Sequence, residues 1–366
     1  MNETRNIPTT RQAEGLLCSP GEWGWVLAVC VAAFFAAAPL WRSLENFNPG
    51  EDYRLPYAQS DDYWHFERWC GEALDRDVLV VGDSVVWGEY VAPGSSLAGA
   101  LGGGVPGVRF ANLGVNGIHP AALEGLLRHH GSALHGRKVL LHCNPLWMSS
   151  PRVDLSGAED DFPLNHSKLV GQFFTRPLSY RARHSERIAA VLDRYSGLRG
   201  LAGHIRSSCF EGSDLYHWSS EHPGKSVLGR FTFEAIVPAR TLRHQPVSWL
   251  ENKGLRQESQ WVSVDDSFQW RCFQRVVELL LESGNSVFVL LGPYNEYMLS
   301  PRGRVEYGAL REDLSAWLRS RPIGLAVAEV LPSELFADAS HPLEAGYVRL
   351  AEMLAADPAF TQWLQD

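Results

Sequence analysis

Five short apolar runs set the strongest constraint on how this chain can fold. They are "DVLVVGD" (77–83), "VRFANLG" (108–114), "KVLLHCN" (138–144), "SVFVLLG" (286–292) and "GLAVAEV" (324–330). Each is rich in Val and Leu and lacks the polar–apolar alternation of a strand with one wet face, so each reads as a strand buried on both sides. Strands of that kind belong to parallel sheets, whose crossover connections are usually helices. Helical stretches occupy the gaps. "HPAALEGLLRHHG" has Pro120 in its first turn, Leu123, Leu126 and Leu127 on one face, and Gly131 as its stop. "DSFQWRCFQRVVELLLESG" sets Phe268, Cys272, Val276 and Leu279 along a stripe and ends at Gly284. "HPLEAGYVRLAEMLAADP" starts with Pro342 in its first turn and halts before Pro358. The expectation is an α/β chain with a flavodoxin-like, doubly wound parallel sheet of about five strands, binding ligands beyond their carboxyl ends.

Two regions depart from that alternation. From about 150 to 265 the chain mixes a helical piece, "RHSERIAAVLDRY" (183–195), with irregular runs rich in His, Trp and Pro. A connection of that length is too long for a loop, so it reads as a subdomain inserted where the third strand ends. Near the N-terminus, "WVLAVCVAAFFAAAPLW" (Trp25–Trp41) carries no charge and lies between Glu22 and Arg42. It is slightly short of the ~20 residues that span a bilayer, and tryptophans at both ends match interfacial anchors. A buried core helix and a signal peptide cleaved after Ala36-Ala37-Ala38 are the competing readings. Pro39 and the long segment before the apolar run argue against cleavage. The expected organisation is therefore a cytoplasmic tail (1–22), a single-pass transmembrane signal anchor (23–41), a polar, aromatic-rich connector (42–72) and an extracytoplasmic domain (73–366), in the periplasm or at the cell surface.

A formal net charge of −9, with no Lys/Arg run, argues against a nucleic-acid partner, which requires a basic footprint. The six cysteines, at 18, 30, 70, 143, 209 and 272, form no CxxC pair and no zinc-like cluster with histidine, so neither a metal nor another cofactor is expected. One or two disulfides among the last four remain open.

The chemistry lies at the predicted strand ends. "VVGDSVVWGEY" (80–90) places Ser84 where the first strand hands over to a turn, with its hydroxyl toward the crevice. Gly114 in "NLGVNG" closes the second strand, and Asn144 in "LLHCNPLW" brings an amide donor to the end of the third. "DASHP" sets Asp338 three residues before His341. A serine needs a base to attack a carbonyl, and a neutral histidine needs an acid to hold its tautomer.

Taken in order, these residues resemble the four sequence blocks of the SGNH, or GDSL-type, hydrolase superfamily. The resemblance covers roughly 77–150 and 286–356. It implies Ser84 as nucleophile, His341 as general base, Asp338 as its acid, and Ser84, Gly114 and Asn144 as oxyanion-hole donors. The third block departs from the family's Gly-x-Asn-Asp, reading His142-Cys143-Asn144-Pro145 here. An anchor with an enlarged outer domain is similar to the alginate acetyltransferase-like branch, which implies a membrane-bound acyltransferase as a candidate partner.

Other residues near these ends have two readings each. Trp87 and Trp147 either rim the crevice and stack on a sugar or simply pack. Asn295, in "GPYNEYM", either contacts substrate or belongs to a plain loop. Cys143 reads as a buried thiol, and His129-His130 as solvated cations at a helix end. The expected function is a serine-dependent carboxylic-ester hydrolase acting on O-acylated cell-surface carbohydrate. A polysaccharide O-acetyltransferase using the same triad is the alternative. A non-catalytic, membrane-tethered glycan-binding protein on the same scaffold is the rival from a different class.

Overall fold

The computed structural model describes residues 19–157, 164–174, 176–180, 182–236, 242, 244–251, 256 and 258–366. Cys18 and the first residues of the expected cytoplasmic tail lie outside them. Strands β1 (Val78–Gly82), β2 (Phe110–Gly114), β3 (Lys138–Cys143), β4 (Ser286–Leu291) and β5 (Gly324–Val327) form one sheet in the order β2-β1-β3-β4-β5. Every neighbouring pair is parallel. The order steps one way from β1 and then reverses, so the switch-point crevice opens beyond the carboxyl ends of β1 and β3.

The sheet is buried on both faces, as its composition requires. Leu79, Val81, Leu113, Leu141 and Val289 face helices Tyr63–Glu72, Pro120–His130, Phe268–Glu282 and Pro301–Arg319. The intervening residues, among them Val78, Val80, Leu140, Phe288 and Leu290, face helices Leu97–Gly104, Glu344–Ala356 and Pro358–Gln365. Strands β1 and β3 each end where the next polar residue leaves the ladder to cap a turn. Asp83 accepts from Val85 N at 3.0 Å, and Asn144 accepts from Leu146 N at 3.0 Å.

Three local expectations are corrected. The residues 42–72 are part of the folded unit rather than a polar connector. Leu55, Phe66, Trp69 and Cys70 are buried in the main core, and Trp69 Nε1 donates to Asn112 O at 2.9 Å. Helix Tyr63–Glu72 escapes notice because its apolar positions, Tyr63, Phe66, Trp69 and Cys70, span too few turns to show a period. In helix Phe268–Glu282 the sheet side is taken by Trp270, Phe273, Val276, Val277 and Leu280, leaving Leu279 partly exposed. The late helix begins at Glu344, because Pro342 is held extended in an antiparallel bridge to Phe336.

The N-terminal helix runs from Pro20 to Leu44, a turn longer at each end than the uncharged run. Ser19 and Glu22 form a capping box at its start. Among the described residues it is the one helix long and apolar enough to span a membrane, at about 37 Å. The inserted region forms helices His184–Tyr195, Gly197–Cys209 and Leu215–Glu221. It packs on the end of the N-terminal helix, where Ala37, Ala38 and Trp41 meet Leu198, Leu201 and Ile205. His204 joins the pieces: its Nδ1 lies 2.7 Å from Asp62 and its Nε2 2.7 Å from Glu45, which also pairs with Arg68. Cys30, Cys70, Cys143, Cys209 and Cys272 are free thiols.

Candidate active site

Ser84 begins a one-turn helix, Ser84–Trp87, at the end of β1. Its own N–H, first in that turn, donates to nothing among the described residues. Gly88 closes the turn in the left-handed region, with φ +87°, where a side chain would be strained. Ser84 Oγ lies 2.7 Å from His341 Nε2, and His341 Nδ1 lies 2.8 Å from each Asp338 oxygen. The hydroxyl therefore donates to Nε2, with the Nδ1 proton on the carboxylate; hydrogen bonding assigns this tautomer. The Ser340 and His341 amides donate to Asp338 Oδ1 at 3.0 Å, and Tyr90 OH donates to Oδ2 at 3.3 Å.

Electrostatics follow from that chain of contacts. Burial opposes a charge on Asp338, but the neighbouring His341 and the two amides outweigh it and hold the carboxyl below its usual range. Burial likewise disfavours the His341 imidazolium, yet the charge and hydrogen bond of Asp338 raise its pKa above the ordinary 6.5. In its neutral form an imidazole so held can accept a serine proton.

Behind Ser84 lies a second buried carboxylate, Asp83. Burial would raise its pKa, but His142, Asn144 and Trp147 bring it down to about 2. Asn144 Nδ2 donates to Asp83 Oδ2 at 2.8 Å and approaches Ser340 Oγ at 3.4 Å. Asn144 thus stands at the site, with one amide hydrogen committed to Asp83. His142, standing where the resembled block has glycine, reaches Asp83 Oδ1 at 3.3 Å and Gly292 O at 3.0 Å.

The remaining predicted site residues are placed differently. Gly114 is not a free donor: its N–H goes to Asn112 Oδ1 at 2.9 Å, and a Cβ there would overlap the Trp87 backbone. Three residues on, Gly117 has φ +73°, is half-buried, and its N–H has no acceptor among the described residues. Trp87 is buried rather than rimming the crevice, with Nε1 on Leu55 O at 2.8 Å. Trp147 is buried too, its Nε1 on Asp83 Oδ2 at 2.9 Å, so neither indole is open to a sugar ring. Asn295 is fully buried and pins the Asp338 loop, accepting from Ser333 Oγ at 2.7 Å and, through its N–H, bonding Ala339 O at 2.8 Å. Cys143 is a buried thiol whose pKa burial pushes up. His129 is not a solvated cation: burial and Arg194 lower its pKa to about 4.

Two residues were missed. Arg54 is buried against the nucleophile turn, and no periodicity marks a lone arginine among aromatics. Tyr90 lies inside the quoted nucleophile stretch, but its bond to Asp338 depends on a distant loop. The inserted region reaches the same edge of the sheet. His244 Nε2 lies 2.9 Å from Glu89 Oε1, and His166 Nε2 lies 2.8 Å from Asn116 O. A cavity of about 610 Å³, lined by Tyr57, Trp64, Asn116, Gly117, His166 and Arg206 among others, opens between the insertion and residues 57–64. No family model matches the chain, and no curated protein matches it.

Proposed function

We propose that the protein is a serine-dependent carboxylic-ester hydrolase of the SGNH type, acting on O-acylated carbohydrate outside the cytoplasm. The observation that carries this reading is the continuous Ser84–His341–Asp338 hydrogen-bonded chain, at 2.7 and 2.8 Å, on the carboxyl edge of the sheet. Ser84 Oγ attacks the acyl carbonyl as its proton passes to His341 Nε2. The tetrahedral oxyanion forms beside the Ser84 N–H and the Asn144 amide, with the Gly117 N–H in place of Gly114 as the third donor. The intermediate collapses, and the leaving sugar oxygen takes the proton from His341. Water, deprotonated by the same imidazole, then hydrolyses the acyl-enzyme to a carboxylic acid and regenerates Ser84.

Transfer to a second sugar hydroxyl is the alternative outcome, by the same acyl-enzyme. It is favoured by the inserted residues at the site, which can restrict what reaches it. The test is p-nitrophenyl acetate turnover by the full chain in detergent micelles, with Ser84→Ala alongside. Turnover that vanishes in the variant supports the reading; equal turnover in both, or none in either, overturns it. Addition of oligosaccharide acceptors separates hydrolysis from transfer by product analysis.

A further inference from the structure

Exposed apolar side chains are unevenly distributed. Among the described residues, ten of the large ones lie on helix Pro20–Leu44 and eleven between 164 and 236, with only six outside that helix and the insertion. Ile188, Leu192 and Tyr195 are 53, 52 and 75% exposed and fall at i, i+4 and i+7 of helix His184–Tyr195, on one face. Phe174 and Leu178 are exposed as well, at 100 and 72%. The same region is basic: residues 164–236 hold ten Lys and Arg against six Asp and Glu, in a chain with 33 against 42.

Its position explains both properties. The insertion is fixed to the end of the apolar helix: Trp41 meets Phe231 edge-on and Phe233 at a tilt, with ring centroids at 6.4 and 4.9 Å, and Asn46 N donates to Phe233 O at 2.6 Å. Leu198 and Leu201 pack as far down as Ala37 and Ala38. Ala37 lies four residues, or about 6 Å, further into the apolar stretch than Trp41. A tryptophan at the end of a spanning helix sits at headgroup level, so protein touching Ala37 lies below that level. An immersion of ~5–10 Å is the depth of a monotopic interfacial surface.

We propose that the inserted region is a membrane-resting platform, with Ile188, Leu192 and Tyr195 in the headgroup–acyl boundary and its arginines on anionic headgroups. This rests on helix Pro20–Leu44 spanning the bilayer. The test uses the full chain, with Cys18 and Cys30 replaced by serine, in nanodiscs of phosphatidylcholine and phosphatidylglycerol. A polarity-sensitive fluorophore is attached at Leu192→Cys, Tyr195→Cys or, as an exposed control on the sheet domain, Val348→Cys. Shallow doxyl lipids should quench the first two at least about twofold more than the control, and less so in ~1 M salt, where charge is screened over ~3 Å. A chain retained in the nanodisc with all three labels quenched alike overturns the platform alone. A chain that does not enter the nanodisc overturns the spanning helix and the platform together.

Discussion

Arg54 Nη1 lies 2.5 Å from the carbonyl oxygen of Gly88, the residue that closes the turn begun by Ser84. The same guanidinium donates to Trp87 O at 2.6 Å and Val91 O at 2.9 Å, with its carbon 4.0 Å from the Trp87 ring centroid. One buried cation thus fixes the backbone of the turn that carries Ser84. Arg54→Met leaves the Trp87 and Val91 carbonyls without their donor and Gly88 O with only the Val91 N–H. A loss of about 2–4 kcal/mol in stability is expected, together with slower fluorophosphonate labelling of Ser84. Wild-type melting and labelling in the variant would remove Arg54 from the site.

The raised pKa of His341 gives the acylation rate a direction. Only neutral imidazole takes the serine proton, so the rate should fall as pH drops, with an apparent midpoint above 6.5. Asp338→Asn removes the charge that raises it, moving the midpoint down and cutting the plateau by on the order of 10⁴-fold. Labelling rates between about pH 5 and 9 measure both effects. An unmoved midpoint would mean that another group titrates.

Asn144→Ala should slow acyl transfer by ~10²–10³-fold, the cost of a lost oxyanion donor, while leaving a folded protein. A change within a factor of about two, measured with p-nitrophenyl acetate, would make the amide a support for Asp83 only.

His204 couples pH to stability. Burial disfavours its charge, but hydrogen bonds to Asp62 and Glu45 on both ring nitrogens lift its pKa to about 9. Because the folded value is raised, the stabilisation is complete below the ordinary 6.5 and is lost as pH rises through about 9. Its size is on the order of 3 kcal/mol. Melting of the full chain in micelles should drop across that window, and His204→Ala should melt lower with a flatter profile. A parallel profile in the variant would place the titration elsewhere.

The sheet was legible because burial on both faces strips a strand of polar residues. Ser84, Asp338 and His341 were legible because their chemistry demands one another. Gly114 was mistaken for a free donor because nothing in "NLGVNG" shows that the Asn112 side chain turns to take its N–H. Trp87 and Trp147 were read as sugar platforms because a sequence does not record where an indole N–H finds its acceptor. Residues 42–72 were misjudged for a related reason. Their aromatics serve the core, but the face they form spans too few turns to show a period.

Glu45 follows the N-terminal helix immediately, and it is already locked to Arg68 and His204. No slack chain separates the rod from the body it carries. With that rod in a bilayer, the serine hydroxyl stands at one altitude and one heading above the lipid, like a lathe tool on its post. On the proposed reading, substrate would have to come to that height, because the body could not sweep outward to find it.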